Sequence, residues 1–195
     1  MTAFACFACH GLAIGYPIDD LAAYLNANTP AGIHFNVVGG ADPQPLQSEI
    51  EHQVVAAIKG GAQAIFIGHS KGAMSTFYLA DYLKTLRLRA PLFVSLDSTD
   101  WGSNAPDAGQ WSLMPPANDA GQWFAPDSVD RWLHFWQPSY PGGGRAQLAP
   151  GNAITSLTAK QIAGADHLSL PNMLEVRRAV LAAVMALSND AAGQS

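Results

Sequence analysis

The chain has 195 residues, of which 49% are hydrophobic and 13% charged, with a formal net charge of −5. That length suits one domain with a full core, and that composition excludes a disordered chain. No Lys/Arg block offers a grip to a nucleic-acid backbone, and no apolar run is long enough to cross a bilayer.

In chain order, residues 3–9 form a short apolar run that ends at His10–Gly11. A run bounded in this way reads as a fully buried strand. The apolar N-terminus carries no Lys or Arg before its apolar part, so it is read as a strand and not as a secretory signal. A cytoplasmic location and reduced cysteines are expected. Cys6, Cys9 and His10 also spell C-x-x-C-H, a pattern of c-type haem attachment. That attachment takes place outside the cytoplasm. Residues three apart on a strand point to opposite faces, so the two sulfurs should not meet. The cysteines are read as small apolar strand residues.

A helix is expected at 19–28, with Asp19 and Asp20 at its start, where helix N-termini favour negative charge. Residues 33–40 read as a second strand with glycines at its exit. Residues 45–61 read as a helix, with Pro45 in its first turn and Gly60–Gly61 at its end. A third strand at 62–70, a helix at 73–86 that is apolar nearly all round, and a fourth strand at 91–97 follow. This alternation predicts an α/β domain with a mostly parallel sheet and helices on both faces.

Residues 98–130 are rich in Pro, Gly, Asn, Asp and Trp and break the pattern. Strands are expected at 129–137 and 153–162, with "PSYPGGGR" between them as a loop. The last helix is expected at 173–187, with Met173, Val176, Val180, Val184 and Leu187 on one face. One domain should therefore span 1–187, followed by a flexible tail at 188–195.

The most informative stretch is "IFIGHSKGA", residues 65–73. Gly68, Ser70 and Gly72 form G-x-S-x-G, directly after a strand and before a helix. A sharp strand-to-helix turn strains the serine backbone and pushes its hydroxyl outward. The flanking residues must be tiny, or strand and helix collide. Read blandly, a serine between glycines is only a tight turn.

This stretch resembles the nucleophile elbow of the α/β-hydrolase superfamily, which comprises lipases, esterases and thioesterases. The resemblance implies a single-domain α/β-hydrolase fold with a short or absent lid. It also implies a triad in the chain order serine, acid, histidine. A serine hydroxyl needs a base. Among six histidines, His167 lies in "GADHLSLP", between the last expected strand and the final helix, which matches the superfamily's place for that base. Asp97 ends the strand after the nucleophile helix and is favoured as the acid, because the next strand is followed by no carboxylate; Asp100 remains a rival. Asp166 adjoins His167 and would point away from it. The loop after the first strand, "CHGL", matches the superfamily's oxyanion loop. The backbone amides of Leu12 and Lys71 would then hold the oxyanion. His10, His69 and Trp101 are expected to line the substrate site, with the Trp-rich segment 99–141 as pocket wall.

The function expected is a serine hydrolase that cleaves a small-molecule carboxylic ester or thioester. It would need no metal and no cofactor. The alternatives are a non-catalytic binding protein of the same fold, or an acyltransferase or peptidase that shares the chemistry. Short or medium acyl groups are the expected substrates, against a sugar ester stacked on the tryptophans.

Overall fold

The computed structural model describes residues 2–11, 17–38, 43–98, 122–137 and 145–193. Its strands are β1 (Phe4–Cys9), β2 (Phe35–Val38), β3 (Gln63–His69), β4 (Ala90–Leu96), β5 (Gln122–Ala125), β6 (Val129–Trp136), β7 (Arg145–Leu148) and β8 (Ser156–Gln161). Its helices are α1 (Pro17–Asn28), α2 (Pro43–Lys59), α3 (Lys71–Thr85) and α4 (Leu174–Gly193), with a 3₁₀ turn at Leu170–Asn172 before α4.

Six strands form one sheet in the order β2-β1-β3-β4-β6-β8, and every pairing in it is parallel. The strand residues alternate between two cores. Cys6, Ala8, Ile65, Ile67, Val94 and Phe135 pack with Leu21 and Leu25 of α1 and Val176, Val180 and Val184 of α4. Phe7, Cys9, Phe66, Phe93 and Trp132 pack on the other face with Val54 of α2 and Phe77 and Leu83 of α3. The period of two along each strand thus becomes two apolar layers, each covered by helices. From β1 the chain first crosses to β2 on one side, then returns past β1 to β3 on the other. The strand order therefore reverses between β1 and β3, and the crevice beyond the carboxyl ends of these strands is where ligands of such sheets bind.

The expected elements are all present, with ends displaced by a few residues. The helix at 19–28 starts at Pro17, and the strand at 33–40 is paired over Phe35–Val38, with Gly39 and Gly40 outside the described residues. Two features correct the sequence reading. Gln122–Ala125, in the segment read as irregular, and Arg145–Leu148, at the end of the expected loop, pair in parallel as a small second sheet. The last helix does not stop at Leu187 but continues through Gly193, so most of the expected tail is helical. Residues 188–190, Ser-Asn-Asp, lengthen the helix without adding to its apolar stripe, and the amphipathic signal gives out before the backbone does.

Cys6 and Cys9 lie in the two different cores as free thiols, which is the strand alternation at work. Burial pushes both thiols up to about 12. Neither should react with a disulfide reagent in the native protein at about pH 8. Both should react once the chain is unfolded in denaturant. Rapid native labelling of either would contradict their placement.

Candidate active site

The β3–α3 turn is built on missing side chains. A Cβ on Gly68 would sit 2.0 Å from the carbonyl oxygen of Gly72, and one on Gly72 would sit 2.4 Å from that of Cys9. Strand, helix and the exit of β1 therefore touch backbone to backbone. Gly11 continues the contact, since a Cβ there would lie 2.5 Å from Cβ and 2.9 Å from Oγ of Ser70.

Ser70 carries the strain of this turn, with φ 59° and ψ −121°. Such a conformation in a non-glycine residue costs about 1–3 kcal/mol and persists only when its surroundings fix it. Here the amide of Ser70 donates to the Leu96 carbonyl at 2.9 Å, and its carbonyl accepts from Met74 at 3.2 Å. Ser70 is the N-cap residue of α3, yet its hydroxyl makes no capping bond. A serine at that position ordinarily spends its oxygen on an amide of the first turn. Ser70 is 8% exposed, less open than the sequence argument expects, because Gly11 lies directly against it. Lys71 is the first residue of α3, and its amide belongs to the helix-end donors that lack an intrahelical partner.

Asp97 follows β4 directly. It too has positive φ, 51°, a conformation that aspartate tolerates better than most residues. Its side chain is fully buried. His167 Nδ1–H donates to Asp97 Oδ2 at 2.6 Å, across 70 residues of sequence. A carboxylate only accepts, so this bond puts the proton of neutral His167 on Nδ1 and leaves Nε2 as the basic nitrogen.

The loop around His167 has its own fastening. Asp166 Oδ1 accepts from the amides of Leu168 at 3.0 Å and Ser169 at 2.7 Å, while Ser169 Oγ accepts from the Asp166 amide at 2.9 Å. The Ser169 amide, and then the Ser169 side chain, hold the Asp166 carboxyl below the usual carboxylate range. The Asp166 side chain is thus committed to its own turn, and His167 is displayed from it.

His69, expected to line the substrate site, is 4% exposed and engaged with His167. Its Nε2–H donates to the His167 carbonyl at 2.8 Å, and the two rings lie 4.7 Å apart between centroids. Burial, and then the neighbouring His167, lower its pKa from 6.5 to about 4. A neutral ring beside His167 adds no opposing charge when His167 takes up a proton. No one-dimensional signal shows this bond, which joins residues 98 apart. His10, also expected near substrate, is largely buried, with Nε2 3.3 Å from Asp19 Oδ1 at the start of α1. His134 is a buried partner of Ser95, and His52 is exposed on α2.

Leu12, Asp100, Trp101 and Trp111 lie outside the described residues, as does the wall segment 99–121. Of the two tryptophans expected on one core face of β6, Trp132 is fully buried, whereas Trp136 is only half-buried and stacks on His134. Among the described residues no group of three His, Cys, Asp or Glu side chains is arranged to hold a metal ion. No helix among them is long and apolar enough to cross a membrane.

No family model matches the sequence, and no curated protein matches it. Solved structures are similar in fold. Est1E from Butyrivibrio proteoclasticus, with ferulic acid bound, superposes with a TM-score of 0.58 at 14% identity, over 94% of this chain and 88% of that one. ClbQ from the colibactin NRPS/PKS pathway gives 0.57 at 11% identity, over 96% and 99%. A mutant form of YbtT, a type II thioesterase from the yersiniabactin NRPS/PKS pathway, gives 0.52 at 10% identity, over 92% of each chain. The chain has the α/β-hydrolase fold.

The buried His69 makes stability depend on pH. Its pKa is lower in the folded protein than in the unfolded chain, so between pH 6.5 and about 4 the unfolded state binds more protons. Stability should therefore fall as pH falls through that window, by on the order of 3 kcal/mol from this group. His69→Gln keeps an amide donor but does not titrate. Urea unfolding across the window should show a shallower loss in this variant, and equal slopes would contradict the buried neutral imidazole.

Proposed function

We propose that the protein is a serine hydrolase that cleaves carboxylic esters or thioesters through Ser70, His167 and Asp97. The observation that carries this reading is the 2.6 Å bond from His167 Nδ1 to the buried Asp97, made beside a strained serine at the mouth of the same sheet. Similar folds among an esterase and a type II thioesterase agree with this chemistry at the general level.

In this mechanism Ser70 Oγ attacks the acyl carbon while His167 Nε2 removes its proton. The imidazolium that forms is offset by Asp97, which keeps its negative charge and holds the ring in the productive tautomer. The tetrahedral oxyanion is received by the amides of Lys71, at the N-terminus of α3, and Leu12. His167 then returns its proton to the departing alkoxide or thiolate. The acyl-serine is hydrolysed by water activated in the same way, which restores Ser70. In this scheme amide donors would meet the developing anion, and the Asp97 carboxylate would meet the developing cation.

Ser70→Ala should lower ester turnover by about three orders of magnitude or more and leave the circular dichroism spectrum unchanged. Labelling by a fluorophosphonate probe should vanish with it. A folded Ser70→Ala protein with full esterase activity would falsify the assignment.

A further inference from the structure

We infer that Gln137 is a positioning residue that holds Asp97 against His167. The inference rests on the hydrolase reading for its catalytic consequence, but its geometric content stands on the Asp97–His167 pair itself.

Gln137 is the first residue after β6 and is 2% exposed. Its side-chain amide Nε2–H donates to Asp97 Oδ2 at 3.1 Å, and its backbone N–H points to Asp97 Oδ1 at 3.5 Å. The sheet explains this placement. Strands β4 and β6 are parallel neighbours with Leu96 opposite Phe135, and the Asp97 amide donates to the Phe135 carbonyl at 2.7 Å. Continued regularly, the ladder would next join the Gln137 amide to the Asp97 carbonyl. The positive φ of Asp97 turns its main chain out of the sheet at that step. The carboxylate then takes the place of the carbonyl, and Gln137 addresses it with its backbone nitrogen and its side-chain nitrogen.

This matters because Asp97 has no contact with solvent. A buried carboxylate has several lone pairs and no water to satisfy them. Oδ2 is shared between Gln137 and His167, so the glutamine amide fixes the oxygen that His167 must meet. A methionine at 137 would keep the side chain's length without its N–H. A leucine would remove the side-chain donor and leave Asp97 one neutral hydrogen bond short. That carboxylate would then be less stabilised and draw more strongly on the His167 proton. The titratable groups set against His167 include Asp97, His69 and Asp166, with His10 acting on His69, and these substitutions replace none of them.

The test follows the His167 imidazole by NMR titration and its Nδ1–H resonance in wild type, Gln137→Leu and Gln137→Met, assigned with His167→Gln. Turnover of a p-nitrophenyl ester is measured on the same samples. The His167 pKa should rise in Gln137→Leu and in Gln137→Met, with the Nδ1–H resonance shifted or broadened. In Gln137→Leu kcat should fall about tenfold with KM within about twofold, the split expected when a group orients the base and does not bind substrate. Gln137→Met is close to glutamine in length and carries the titration if the leucine variant does not fold. An unchanged His167 pKa in the folded variants would overturn the inference, whatever the turnover. A wild-type protein with neither ester turnover nor fluorophosphonate labelling would instead overturn the hydrolase reading, while the NMR titration would still decide the role of Gln137.

Discussion

Three backbones meet at Gly68, Gly72 and Gly11 with no room for a side chain between them, and the rest of the site follows from that contact. The approach of α3 to β3 leaves Ser70 a conformation that few non-glycine residues adopt. The same approach sets the amide end of α3 at the carboxyl ends of the strands. It also seats the exit of β1 on the turn, because Gly72 lies under the carbonyls of Cys9 and His10. A methyl group at Gly68 or Gly72 would have to displace backbone atoms. Overpacking even of side chains costs about 1–3 kcal/mol, so displacing backbone here should cost at least that.

Around this turn, neighbouring strands deliver polar groups at the same level of the sheet. Ser70 follows β3, Asp97 follows β4, Gln137 follows β6, and His167 comes from the loop after β8. A buried carboxylate would be costly alone. Here it is met by an imidazole on one side and an amide on the other. His69 adds a hold on the backbone of His167 from within the turn itself. The serine turn and the histidine loop are thus tied together by a hydrogen bond from the His69 ring to the His167 main chain. Asn172, just beyond that loop, donates to Asp20 of α1 at 3.2 Å and accepts from Arg177 of α4. The histidine loop is therefore held at His167 and again just beyond its end.

Much of this arrangement can be read along the chain, and the unreadable part has a physical cause. Strand–helix alternation is a property of local periodicity, so the sheet and its two helical layers are legible. The pattern GHSKG is local too, because the steric requirement falls on residues two apart from the serine. Asp97 and His167 can be named because their places at element ends match the chain order that the resemblance implies, although nothing in one dimension measures their separation or excludes Asp100. Gln137 is not legible: a glutamine after a strand carries no signal until the neighbouring strand brings Asp97 beside it. The same holds for His69, whose partner is a carbonyl far along the chain. Gln122–Ala125 and Arg145–Leu148 are too short for a period to register, and each stabilises the other only after the chain has folded.

The central claim is that this cluster makes Ser70 a nucleophile that carries an acyl group. The most direct measurement is denaturing quench of the protein early in reaction with p-nitrophenyl butyrate, followed by mass spectrometry of the intact chain and of its peptides. The account predicts one butyryl adduct per chain, on the peptide containing Ser70, that disappears as substrate is exhausted. Butyryl on another residue, or turnover with no acylated chain at any time, would contradict it.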